Sequence, residues 1–228
     1  MTDFFAKSDI SRNDAEKIVS DTLKNTDDGE LYLENTKSEN IVLDDSKIKN
    51  SSYNSDVGYG LRAVTGEVIA YSHSNEISKN SLKNSSENLK STLKSKKGTY
   101  NHSIPKSNIK YYEDKNPLDD KSFSSKVKIL EEIDKYTRSK HPNIKQVTAN
   151  FLGEHKTVEI IRSGGEIISD IRPLVRFNVS VVVEKNGKKE TGVYGIGGRQ
   201  SYDDYLNNEN WKKVCDEAYR IASVNLNS

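Results

Sequence analysis

The sequence predicts an α+β fold: a mainly antiparallel meander sheet packed with about four helices, in a helix–strands–helix arrangement that occurs twice. Three observations lead there. Period-two runs stand close together with only turn residues between them, and a parallel crossover would need about a dozen residues. Segments of helical period flank those runs. The strongest run, residues 174–184, buries one face through Val175, Phe177, Val179, Val181 and Val183 and is followed by Asn186-Gly187. Asn-Gly suits the type I′ hairpin turn, which needs positive φ at both central residues.

The elements follow in order. Residues 11–25 read as a helix: Ser11 can cap it, and Ala15, Ile18, Val19, Thr22 and Leu23 share one face before Asp27-Asp28-Gly29 stops it. Five short strand signals follow, ELYLEN, ENIVLDD, KIKNSS, DVGYGLRAV and EVIAYS, with turns at Asp44-Asp45 and Thr65-Gly66. A second helix spans about 76–96, its stripe formed by Leu82, Ser86, Leu89 and Leu93. Residues 98–121 contain Pro105, Pro117 and little periodicity, and read as a connection between halves 1–97 and 122–228. The third helix, about 123–139, takes Ser122 as its cap, with Phe123, Val127, Leu130 and Asp134 on a common side beside Ile129, Ile133 and Tyr136. His141-Pro142 ends it, because the residue before proline resists the α region. Strand signals KQVTANFLG, KTVEIIR, EIISDIR and LVRFNVSVVVE come next. A last helix, about 211–224, carries the stripe Trp211, Val214, Cys215, Ala218 and Ala222.

Lys plus Arg number 35 against 34 Asp plus Glu, so the net charge of +1 provides no global field for nucleic acid or membrane. The hydrophobic fraction of 33% is low, and the deficit concentrates in the Ser-, Asn- and Lys-rich residues 75–125. With one cysteine, Cys215, no intrachain disulfide can form. The N-terminus shows no apolar stretch of signal-peptide length, and no run approaches the ~20 apolar residues of a membrane helix. The expectation is a soluble cytoplasmic protein.

Gly195, Gly197, Gly198 and Arg199 invite comparison with a phosphate loop. Arg199-Gln200 stands where a Walker loop needs Lys-Ser/Thr, and the glycine spacing is not that of a dinucleotide fingerprint inside a βαβ unit. On the return arm of a hairpin, these glycines admit a neighbouring backbone or ring, or a bulge. Gly197, Gly198 and Arg199 are candidates for an interface at a domain border. Arg172 and Arg176 bracket Pro173 and suit a carboxylate clamp; the structural alternative pairs Arg172 with Asp170 or Glu184 and leaves Arg176 on the wetter sheet face. Gly58, Gly60 and Arg62 could line an edge where an extended peptide adds to the sheet, or simply pack against a helix. Lys79, Lys83, Lys90, Lys94, Lys96 and Lys97 lack interleaved aromatics and read as a solvated helix face rather than a nucleic-acid stripe.

DIRPLVRFNVSVVVEKNGKKETGVYGIGGRQSYDDYL (170–206) resembles the TldD/PmbA family of bacterial zinc metalloproteases, once called modulators of DNA gyrase. GYGLRAVTGEVIAYSHSNEIS (58–78), the preceding SSYNSDVGYG and the closing EAYRIASVNLNS resemble it in the same order. The similarity covers most of residues 20–228 and is weakest through 90–120. It implies the N-terminal half of such a protease. The family's zinc helix, His-Glu-x-x-x-His with a later cysteine ligand, would begin a few dozen residues beyond Ser228. None of the four histidines, His73, His102, His141 and His155, is followed by Glu, and no two lie four or five apart. The expectations are therefore no catalytic or metal-ligating residue and no cofactor in this chain, with zinc in the full-length family. Expected partners are a PmbA/TldE-type homologue or a second copy, peptide substrates, and a separately encoded catalytic half if the gene is split. A gyrase-associated regulator and a decayed fragment are the alternatives.

Overall fold

The computed structural model describes residues 3–93, 98, 111–140, 142–162 and 166–228. Its elements are α1 (Arg12–Leu23), β1 (Asp28–Asp44), β2 (Lys47–Thr65), β3 (Val68–Ser74), α2 (Lys79–Leu93), a 3-10 turn (Pro117–Asp119), α3 (Phe123–Lys140), β4 (Ile144–Arg162), β5 (Ile167–Lys185), β6 (Lys188–Gly198), α4 (Tyr202–Tyr205) and α5 (Asn208–Asn227). The strands form one six-stranded antiparallel sheet in the order β3-β2-β1-β4-β5-β6, so the α+β meander holds.

The short strand signals do not remain separate. ELYLEN and ENIVLDD are one 17-residue strand, KIKNSS and DVGYGLRAV one of 19, and the signals between 144 and 185 merge into two of 19. The polar stretch Asn35 to Asn40 reads as a break, yet β1 is hydrogen-bonded on both sides, by β2 and β4, and so stays extended with polar side chains on both faces. Residues 94–97 and 99–110, which include Lys94, Lys96, Lys97, His102 and Pro105, lie outside the described residues, as does His141.

By contacts the chain divides into two compact units, the first Met1–Thr36, Ser55–Ile109 and Lys156–Ile171, the second Lys37–Asn54, Lys110–His155 and Arg172–Ser228. Strands β1, β2, β4 and β5 lend residues to both.

In the first unit, Leu31, Leu33, Leu61 and Ala63 from the strands meet Ala15, Val19 and Leu23 of α1 and Leu82, Leu89 and Leu93 of α2. Ser11 caps α1 by accepting from the Asp14 amide at 3.2 Å. The two helices touch through small hydroxyls: Thr22 Oγ1 and Ser86 Oγ are 2.6 Å apart. Tyr59 directs its hydroxyl to Ser81 and Ser85, at 2.8 and 2.9 Å. Arg12 pairs with Glu159, a carboxylate only 2% exposed, so its burial is compensated.

In the second unit, Val175, Phe177, Val179, Val181 and Val183 are buried as the alternation requires. Asn186 (φ 54°) and Gly187 (φ 79°) make the expected hairpin turn. Helix α5 buries Trp211, Val214, Cys215, Ala218 and Ala222; Ala218 and Ala222 lie so close over Gly192 of β6 that a side chain there would strike the helix backbone. Helix α3 keeps Leu130, Ile133 and Asp134 inward as expected and departs from its expected face at Phe123. Phe123, in its first turn, is 52% exposed, and the inward positions are Lys126, Leu130, Ile133, Asp134 and Thr137. These recur at 4, 3, 1 and 3 residues, a proper helical stripe whose Lys126 a hydrophobic reading discards.

Candidate functional site

The candidate site grows from the end of the β5–β6 hairpin in the second unit. Register places Gly197 opposite Arg176 and Gly198 opposite Val175. Pro173 precedes the first β6 partner, Val175, so its missing N–H costs that ladder nothing. Past the strand end, Arg199 lays its guanidinium over the Tyr112 ring, 5.3 Å from the centroid, and donates from Nη1 to the Pro173 carbonyl at 3.4 Å. Tyr111, Tyr112, Lys115, Pro173, Arg199 and Ser201 are among the residues around a cavity of about 430 Å³. Ser201 then caps the short helix α4, accepting from Asp203 N while Asp204 accepts from Ser201 N at 3.0 Å.

What fixes this loop is a buried polar cluster beneath it. Lys126, 1% exposed, donates from Nζ to Glu39 and to the Leu118 carbonyl (3.0 Å), and lies 4.9 Å from the centre of the Tyr202 ring. The Tyr202 amide donates to Asp120 at 3.3 Å, and Lys121 pairs with Asp203. The Tyr202 hydroxyl is buried without an acceptor in hydrogen-bonding geometry. Burial, and then the nearby Glu39 charge, push its pKa well above the ordinary value. The ring fits because Gly153 has no side chain: a Cβ there would fall 2.5 Å from the Tyr202 oxygen.

A second cavity in the same unit, about 470 Å³, is flanked by Leu152, Leu174, Asn40 and Arg176. Leu152 and Leu174 are 37% and 40% exposed, and Arg176 donates from Nε to Asn178 at 2.8 Å. Arg172 is half-buried at the start of this unit's part of β5 and is also engaged by neighbouring groups.

The other sequence candidates lie in the first unit. Arg62 donates to Glu30 from Nε (2.6 Å) and Nη2 (2.8 Å) and to Asp28 from Nη2 (2.6 Å). The Glu30 bond, against the cost of burial, holds the guanidinium more firmly protonated than usual. Burial opposes ionisation of Asp28, but its bonds to Arg62 prevail and keep the carboxyl below its ordinary range. Arg62 thus clamps β2 to β1. Gly60 sits under the Tyr71 ring, and Gly58 lies against the Ser74–Asn75 backbone. The eight candidates therefore fall into two sets, Gly58, Gly60 and Arg62 in one unit and Arg172, Arg176, Gly197, Gly198 and Arg199 in the other. Sequence reasoning missed Lys126, Tyr202 and Tyr112. Only the helical spacing of Lys126 with Leu130 and Ile133 carried a signal.

Among the described residues no group of three or more His, Cys, Asp and Glu could hold a metal ion. His73 stacks on Tyr71 at 5.8 Å, and burial, then Lys37, lower the pKa of His155. Cys215 is 1% exposed in the core. Nor is any helix among the described residues long and apolar enough to cross a membrane.

Comparison with known proteins gives a consistent result. A family model for the PmbA/TldA metallopeptidase domain 1 matches residues 29–95, and one for the PmbA/TldA metallopeptidase central domain matches residues 116–226. A metalloprotease TldD homolog of Buchnera aphidicola subsp. Acyrthosiphon pisum is 34% identical over 209 residues, covering 89% of this chain and 43% of its own. One from Haemophilus influenzae is 33% identical over 221 residues, covering 90% and 44%. The chain thus spans under half the length of these curated relatives. In fold it is similar to a Bacteroides thetaiotaomicron protein described as a modulator of DNA gyrase (TM-score 0.71, 12% identity, 91% of this chain and 49% of that one). It is also similar to TldE from Thermococcus kodakarensis (TM-score 0.64, 16% identity, 92% and 46%). The chain belongs to the PmbA/TldD metallopeptidase family.

Proposed function

We propose that this chain is the non-catalytic N-terminal part of a TldD-like zinc metallopeptidase that degrades small or unfolded peptides. Its two helix–meander–helix halves together act as one N-terminal domain. That domain dimerises, with a PmbA/TldE-type homologue or with a second copy, and walls the chamber around the active site. The observation that carries the proposal is the match of residues 29–95 and 116–226 to the family's first and central domains. The donor set agrees with a scaffold role. Zinc in a hydrolase needs about three protein ligands and an open position, and the described residues bring no such group together. Zinc therefore does not fit the described residues, and no hydrolytic step is derived through them.

The test is assembly. Sedimentation of the purified chain, alone and mixed with a PmbA/TldE-type homologue, is expected to show a dimer in one of the two samples. A monomer in both at tens of micromolar overturns the dimerisation role.

A further inference from the structure

We propose that the cavity around Arg199 is a carboxylate-binding site whose ligand is the free C-terminal carboxylate of a short peptide. The ligand's being a peptide rests on the peptidase reading above; its being a carboxylate rests on the geometry alone. Arg12, Arg62, Arg138 and Arg220 are each neutralised by an acidic side chain within the fold. Arg199 has no acidic partner among the described residues; its recorded contacts are the Tyr112 ring and one long bond to the Pro173 carbonyl. Guanidinium carries five N–H donors in a planar fork. Stacking on Tyr112 occupies a face and leaves the edges, which are the part that grips a carboxylate in two parallel bonds.

Of the three acids around the cavity two are committed, and the third, the exposed Glu113, forms no ion pair with Arg199. Asp203 is paired with Lys121, and Asp204 accepts from the Ser201 amide. Tyr111, 82% exposed beside the stacked Tyr112, offers an aromatic wall for the side chain that precedes the carboxylate. A volume of about 430 Å³ lies within the range of small-ligand sites. The loop is held from below by Lys126, Tyr202 and Asp120, so Arg199 is presented on a fixed support.

The experiment titrates the 228-residue chain, followed by NMR chemical shifts, with acetyl-Ala-Phe as the free acid, with the same peptide as its C-terminal amide, and with phenylacetate. The free acid is expected to bind at least tenfold more tightly than the amide. R199Q should remove that preference and R199K restore part of it, while K128Q, a charge-matched change on the exposed face of α3, leaves it intact. Circular dichroism confirms that each variant is folded. Equal binding of acid and amide, no binding of either up to 10 mM, or an R199Q variant that still prefers the acid overturns the proposal. Binding of phenylacetate without the peptide acid overturns the peptide assignment and leaves the anion site. The dimerisation test above is unaffected by any of these results, so the two readings fail separately.

Discussion

Replacing Lys126 by methionine tests whether the buried cluster under the Arg199 loop is what holds it. The change preserves side-chain length and apolar stem but deletes the ammonium. Glu39, whose side chain is 12% exposed, then loses its partner, and the Leu118 carbonyl loses its donor. Breaking a buried pair by removing one member costs about 3–5 kcal/mol, chiefly because the other charge is stranded. That is a large share of the roughly 5–15 kcal/mol that holds a typical domain. Removing both charges, in K126M/E39M, strands no charge and leaves only the Leu118 carbonyl without its donor, so the double variant is expected to recover most of the loss. The assay is built in: Trp211 is the single tryptophan, 4% exposed, edge-on to Tyr136 at 5.2 Å in the same unit. Its fluorescence in a urea titration reports that unit's unfolding. A K126M midpoint that implies a loss under about 1 kcal/mol, or a double variant as weak as the single one, refutes the cluster's role.

Other consequences can be checked in the same way. Asp44 is held to a pKa of about 2 by Lys49 first and by Gln146 and Thr148 after it. Because the folded value lies below the unfolded one, the stabilisation is complete above about pH 5 and is lost as pH falls toward 2. After discounting for a Lys49 side chain that is 70% exposed, D44N should cost about 1 kcal/mol at pH 7 and clearly less as pH falls to about 2, read from urea midpoints across that range; a pH-independent difference contradicts this. G153A should destabilise by about 1–3 kcal/mol through overpacking against the Tyr202 oxygen. Y202F alone should be neutral or slightly stabilising, since the hydroxyl it removes has no acceptor, and it should recover part of the G153A loss. Additive effects in that double-mutant cycle would show that the glycine is not there for the phenol.

The parts of the fold legible in the sequence were those where one periodicity acts alone. The valine alternation of β5 and the small-residue stripe of α5 appear in the structure as read, and Asn186-Gly187 makes the expected turn. Strand length was not legible. Polar runs such as Asn35 to Asn40 look like turns, and only hydrogen bonds from both neighbouring strands keep them extended. The turn at Asp45 and Ser46 shows the same dependence on tertiary context: both residues have positive φ without being glycine. They are held there by Ser46 donating to Asp134 at 2.5 Å and by Arg138 on Asp45. At the site, Gly-Gly-Arg marked the hairpin end, but Tyr112 comes from an aperiodic segment and gave no sign. Lys126 was hidden by the usual solvation of lysine, which here yields to a carboxylate and a carbonyl.

The scaffold role is tested most directly by peptide hydrolysis. The purified 228-residue chain, with or without added zinc, is expected to cleave no unfolded peptide. Chelator-sensitive cleavage should appear only when a polypeptide carrying the family's His-Glu-x-x-x-His helix is supplied. Zinc-dependent cleavage by this chain alone, with contaminating proteases excluded, contradicts it.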